Sequence, residues 1–190
     1  MADPLIPIPS VPLGVDAAVA LILERCTAAV DTVLLDGPSG AGKSTLADAL
    51  VSAWPGAVSI VRMDNIYPGW SGLAAASNHV HDRLLEPRSL GAESRWRRHD
   101  WEIDGPAEWH TVPGDRSLIL EGCGALSHRN AGLATLRIWL DADDDIRKRR
   151  ALARDRGGFD AHWDDWQRQF ERFVAAESPR ETADLRICLP

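Results

Sequence analysis

The sequence predicts an α/β fold three layers deep, with a parallel sheet of about five strands and helices on both faces. Two observations predict it. Short runs of β-branched and aliphatic residues alternate with stretches of helical character, which implies parallel pairing through right-handed crossovers. A glycine-rich segment, Gly37 to Thr45, then stands between the first such run and the first long helical stretch. The 190 residues make about one domain by length, and such a chain should bury roughly 70% of its unfolded surface.

Taken in order, residues 1–14 read as a proline-rich arm, with Pro4, Pro7, Pro9 and Pro12, and residues 15–190 as one domain. Asp16 is positioned to cap a helix running through Val19, Leu21, Ile22, Leu23 and Cys26. Thr32 to Leu35 is a short buried strand closed by the turn residues Asp36-Gly37-Pro38. Lys43 to Trp54 is a helix, stopped by Pro55-Gly56, and Ala57 to Met63 is a second strand rich in Val and Ile. Further strands fall at Leu118 to Leu120, Leu136 to Leu140 and Leu185 to Leu189, with helices over about 143–155 and 161–177. The span 65–113 holds many Trp, Arg, Pro and Gly without clear period. It reads as an insert of short helices and loops, the place for an acceptor site.

The charge balance is acidic, with 21 Lys+Arg against 28 Asp+Glu and a net charge of -7. That argues against duplex nucleic acid as partner, which would need a basic face, but allows small anions held in local positive clusters. The longest apolar run, Ala17 to Leu23, is too short to cross a bilayer, and the start lacks a basic segment followed by an apolar block. Cys26, Cys123 and Cys188 are odd in number and far apart, which suits a reducing cytoplasm rather than a disulfide framework or a thiolate zinc site. Lysine occurs only at Lys43 and Lys148.

Lys43 stands in Gly37-Pro38-Ser39-Gly40-Ala41-Gly42-Lys43-Ser44-Thr45, which matches G-x-x-x-x-G-K-[ST]. Glycines suit a loop that wraps phosphate with backbone N–H groups in conformations barred to residues with a Cβ. The lysine reaches the outer phosphates, Ser44 ligates Mg²⁺, and the following helix turns its positive end to the anion. From this chain's own composition the pattern arises by chance on the order of once in a thousand such sequences. The segment predicts a nucleoside triphosphate site and, with it, the P-loop NTPase fold.

In open α/β sheets ligands bind beyond the carboxyl ends of the strands, and three acids fall there. Asp64, after the second strand, is the candidate base that accepts a proton from an attacking hydroxyl; the bland reading is a turn former in Asp64-Asn65. Glu121, in Ile119-Leu120-Glu121-Gly122, holds Mg²⁺ directly or through water, or merely caps a turn. Asp36 braces the phosphate loop.

Asp141 to Asp145 opens a helix with negative charge at its positive end, and Arg147, Arg150 and Arg154 follow on one face, with Arg149 and Arg156 nearby. A solvated charged face is one reading. The other is an arginine-bearing lid over 150–165, hinged at Gly157-Gly158, with Arg150 and Arg154 on nucleotide phosphate. Beyond it Asp160 is placed to cap a helix. The stripe Trp163, Trp166, Phe170, Phe173 and Val174 there is core packing before it is a stacking platform.

These elements resemble the uridine kinases and their nucleoside-kinase relatives. That family pairs a GxSGxGK[ST] loop with an aspartate after strand two, here Met63-Asp64-Asn65-Ile66-Tyr67. It carries an E-G element, here Glu121-Gly122, and a D-x-R…R…RD run, here Asp145-Ile146-Arg147, Arg150 and Arg154-Asp155. The resemblance spans about 31–158 and implies ATP, Mg²⁺ and phosphoryl transfer to a hydroxyl, with Asp64 as base. The family's N-F-D-H-P acceptor element has no counterpart; Arg95-Trp96-Arg97-Arg98-His99-Asp100-Trp101-Glu102 stands in its place.

That segment either recognises an acceptor, through Arg97, Arg98, Asp100 and Trp101 with Tyr67, Trp70 and Trp109 nearby, or is a basic loop with buried tryptophans. His79-Val80-His81 has strand-like spacing and no convincing carboxylate partners for a metal. The leading expectation is an ATP-dependent kinase acting on the hydroxyl of a small, nucleoside-like acceptor. One alternative is a nucleoside monophosphate kinase using Arg62, Arg97 and Arg98. The other is a non-catalytic nucleotide-binding regulator, although no D-x-x-G follows the third strand and no N-K-x-D is present.

Overall fold

The computed structural model describes residues 13–155 and 157–190; the proline-rich arm lies almost wholly outside them, as does Arg156. In chain order the first elements are α1 (Val15–Arg25), β1 (Thr32–Asp36), α2 (Lys43–Ala53) and β2 (Val58–Arg62). A 3₁₀ turn at Met63–Asn65 leads to α3 (Leu73–Val80), a π-helical turn at His81–Leu85, α4 (Glu86–Ser89), β3 (Ser94–Asp100) and β4 (Gly105–Val112). Then come β5 (Ser117–Glu121), α5 (His128–Ala131), β6 (Leu136–Asp141), α6 (Asp144–Arg154), α7 (Trp163–Glu177), α8 (Pro179–Thr182) and β7 (Leu185–Cys188).

Five strands form one parallel sheet in the order β2-β5-β1-β6-β7. β1 and β5 are buried at every residue, as central strands covered on both faces must be. Alternation then divides the core. Val33, Leu35 and Ile119 face one layer with Ile22 of α1 and Leu46 and Leu50 of α2. Leu34, Leu118 and Leu120 face the other, with Leu73 of α3, Trp139 of β6 and Trp166, Phe170 and Phe173 of α7. This is the three-layer P-loop NTPase fold, and the carboxyl ends of β1, β2 and β5 meet at one edge of the sheet.

The span between β2 and β5 departs from the expected helices and loops. It does contain helices, but also an antiparallel hairpin, β3 with β4, pairing Ser94 with Val112 and Trp96 with His110. Arginines at 95, 97 and 98 hid the period-two pattern that buries Ser94 and Trp96. Asp104, at φ 47, and Gly105 close the turn. Three smaller expectations also change. α1 starts at Val15, so Asp16 lies inside its first turn rather than capping it. Asp160 makes no cap to α7, because a 3₁₀ turn at Asp160–His162 intervenes. His79 and His81 lie at the end of α3 and in the π-helical turn, not on a strand. Asp143 does cap α6, accepting from Asp145 N and Ile146 N. Among the described residues no helix is long and apolar enough to cross a membrane.

Candidate active site

The loop between β1 and α2 is shaped by glycines at positive φ. Gly40, at φ 82, lies so close to α6 that a Cβ would stand 2.0 Å from the Arg147 carbonyl oxygen. Gly37, at φ 148, would meet Leu140 O at 2.4 Å. The amides at the start of α2 have no partner within the helix and point toward the loop.

Lys43 is buried, and its Nζ donates to Gly37 O at 2.7 Å and to Pro38 O at 3.0 Å, with Cys123 Sγ at 3.6 Å. The ammonium rests on carbonyl dipoles and makes no ion pair among the described residues. Asp36 braces the loop as expected. One of its carboxylate oxygens accepts from Gly37 N at 2.7 Å, the other from Leu126 N at 2.9 Å, and both receive Gly124 N. It is fully buried, and desolvation pushes its pKa up to about 6 against those donors and the Lys43 charge.

Ser44 Oγ lies 3.1 Å from Glu121 Oε1, whose carboxylate also accepts from Arg62 Nη1 at 3.0 Å. Burial, and secondarily the charge of Asp64, push the Glu121 pKa up, while Lys43 and Arg62 pull it down. A hydroxyl and a carboxylate held together, with a second carboxylate nearby, form the hard oxygen set that Mg²⁺ takes. The cradle and this pair fit a polyphosphate and its metal.

Ser39, Gly40, Gly42, Lys43, Ser44, Thr45, Asp64, Glu121, Arg150 and Arg154 line one cleft of about 290 Å³, together with Cys123. Of the expected nucleotide contacts, Gly37 and Ala41 hold the backbone of the loop instead. Arg147 is buried under Trp163, tied to Asp144 and Gln167, so of the four arginines on α6 only Arg150 and Arg154 reach the cleft.

A second cavity of about 190 Å³ adjoins the first and shares Ser39, Asp64 and Arg154 with it. Its walls are Tyr67, Trp70, Trp101, Phe159 and Trp166, with Asp155. The rings brace one another: Trp70 stacks on Phe159 at 5.2 Å and tilts against Trp101 at 5.0 Å, and Tyr67 meets Trp166 edge-on at 4.7 Å. The exposed Asp64 sits at the junction, and its backbone oxygen accepts from Trp101 Nε1 at 2.9 Å.

Among the expected acceptor contacts, Tyr67 and Trp101 line this second cavity, whereas Arg97, Arg98 and Asp100 do not. The reason is pairing within the hairpin. Arg98 is taken by Asp100 and Glu108, and Arg97 Nε donates to Ala107 O. Arg97 and Arg98 border a separate groove with His79, whose lining shares no residue with the cleft. Phe159 and Cys123 are not among the expected site residues, Asp155 enters only as the last residue of the Arg154-Asp155 motif, and Trp166 reads as core packing before a stacking platform. Only Cys123 carried a positional signal, two residues past Glu121 at a strand's carboxyl end.

Two solved structures resemble this fold along nearly its whole length. One, a possible uridine kinase from Bacillus stearothermophilus, shares 17% identity at a TM-score of 0.66, covering 91% of this chain and 96% of that one. The other, a provisionally named fructose transport system kinase from Silicibacter sp. TM1040, shares 20% identity at a TM-score of 0.55, covering 92% and 98%. No protein-family model and no curated protein matches the sequence. This chain shares the fold of those two structures.

Proposed function

We propose that this chain is an ATP-dependent phosphotransferase that delivers a phosphoryl group to a hydroxyl of a small, nucleoside-like acceptor. The observation that carries the reading is Asp64, which lines the phosphate-loop cleft and the aromatic cavity at once. A carboxylate at that junction stands between a polyphosphate held by the loop and an acceptor held by the rings.

Magnesium, held by Ser44 and Glu121, would supply charge neutralisation at the outer phosphates. Lys43 leaves the Gly37 and Pro38 carbonyls to meet the phosphates, and Arg150 and Arg154 approach from α6. Asp64 takes the proton of the acceptor hydroxyl. The rings of Trp70, Trp101, Phe159 and Trp166 exclude water and offer flat faces to a ring-bearing acceptor.

The monophosphate kinase alternative is less well supported. Arg62 is committed to Asp48 and Glu121, and Arg97 and Arg98 border another groove, so none of its three arginines faces the acceptor cavity. A panel of hydroxyl compounds incubated with ATP and Mg²⁺ tests the reading by acceptor-dependent ADP release. Asp64→Asn should lose transfer while binding ATP nearly as before. Full activity in that variant, or activity on monophosphates alone, rejects it.

A further inference from the structure

Arg154 belongs to both cavities, and in this structure the Nε–Nη2 edge of its guanidinium is spent on its neighbour. Nε donates to Asp155 Oδ1 at 2.9 Å and Nη2 to Oδ2 at 3.0 Å, a two-pronged bond that occupies both carboxylate oxygens. Asp155 lines the aromatic cavity but not the phosphate-loop cleft. One edge of a guanidinium cannot hold a carboxylate and a phosphate together. If Arg154 turns that edge to a nucleotide, Asp155 is left facing the cavity with two open acceptor positions.

The rest of the wall has little hydrogen-bonding capacity to offer. Tyr67 Oη donates to Cys123 O at 2.8 Å, Trp101 Nε1 to Asp64 O, and Trp166 Nε1 to Ser39 Oγ at 3.1 Å. Beside the indole N–H of Trp70, what remains are carboxylates. A ligand meeting Asp64 and Asp155 among aromatic faces must be rich in donors.

We propose that Asp155 is an acceptor-binding residue which Arg154 covers until nucleotide is loaded, so that the acceptor enters second and is an unphosphorylated, hydroxyl-rich compound. This rests on the phosphotransferase reading above. The hydroxyl to be phosphorylated goes to Asp64, and a second donor group of the same molecule goes to Asp155. Binding order and acceptor choice are thereby set by one ion pair.

The covering contact is measured by calorimetry with AMP-PNP and Mg²⁺, with no acceptor present. Asp155→Asn should bind the analogue about five- to tenfold more tightly, because Arg154 no longer has to abandon a carboxylate. In an Arg154→Ala background the same substitution should give no gain. Unchanged affinity in Asp155→Asn, or an equal gain without Arg154, overturns the covering role. The acceptor role is measured with the compound from the hydroxyl panel that wild type uses best. There Asp155→Asn should raise the acceptor KM at least about tenfold while lowering the KM for ATP. An unchanged acceptor KM overturns it. If wild type phosphorylates no compound, the phosphotransferase reading fails, while calorimetry still decides the covering contact.

Discussion

Trp166 Nε1 donates to Ser39 Oγ across 3.1 Å, so α7 holds the loop between β1 and α2 by a side chain. The two residues are 127 positions apart. Trp166 also forms one wall of the aromatic cavity, so the bond joins that cavity to the phosphate-loop cleft, which Ser39 lines.

Trp166→Phe keeps a ring in the wall and deletes the donor. Losing one hydrogen bond costs about 1 kcal/mol in stability, and the smaller ring adds to that. Because Ser39 lines the phosphate cleft, affinity for a magnesium–ATP analogue should also fall, by about three- to tenfold. Urea unfolding and calorimetry read the two effects. A stability loss with unchanged nucleotide affinity would leave Trp166 as core packing alone.

Glu121→Gln tests the metal set. The amide keeps the shape beside Ser44 Oγ but removes the charge a divalent cation needs. In wild type, magnesium should tighten binding of an ATP analogue; in Glu121→Gln that enhancement should shrink by about tenfold. Titrations with and without the cation give the ratio. Equal enhancement in both proteins would assign Glu121 to bracing Arg62 instead.

How far the sequence exposed all this depends on how local each signal is. β1, β5 and β6 showed as aliphatic runs because central parallel strands have no solvent face to break the pattern, and the half-buried edge strands β2 and β7 still carry enough Val, Leu and Ile to show. The loop from Gly37 to Thr45 was legible because its chemistry is contiguous in the chain. Asp64 and Glu121 showed because strand ends in this architecture face one edge. The hairpin did not, since Arg95, Arg97 and Arg98 occupy positions where a strand pattern would show polar and apolar residues alternating. The aromatic cavity was hardest. Trp70, Phe159 and Trp166 come from separate segments, and only the packing of α7 across the sheet edge brings them together. Arg98 shows the converse, since a cation that reads as a ligand contact is neutralised by Asp100 and by Glu108 on the facing strand.

Gly40→Ala separates loop geometry from loop chemistry, since no functional group is lost. At φ 82 an L side chain is strained, and the Cβ would collide with backbone, not with a side chain that can swing away. The expected outcome is a loss of roughly 2 kcal/mol or more in stability, with analogue binding abolished or weakened at least about tenfold. Gly56→Ala is the control, with nothing within 4 Å of the added carbon. Similar melting temperatures for the two variants would contradict the close approach of the loop to α6.

Asp36 gives the stability a pH dependence whose sign follows from burial. Its pKa is about 6 in the folded chain and about 3.9 when unfolded, so between those values the folded state holds a proton that the unfolded state has released. This contribution to stability is therefore full below about pH 4, falls as pH rises toward 6, and is lost above it. At about 1.4 kcal/mol per pH unit the total is roughly 3 kcal/mol. Asp36→Asn cannot titrate, although it gives up carboxylate contacts to Leu126 N and Gly124 N and is less stable outright. The informative quantity is the difference in unfolding free energy between the two proteins, since other groups cancel to first order. Urea unfolding at pH 4 and pH 7 should show wild type losing about 3 kcal/mol of its advantage over the variant. A difference independent of pH would mean that the backbone donors and Lys43 offset the cost of burying the charge.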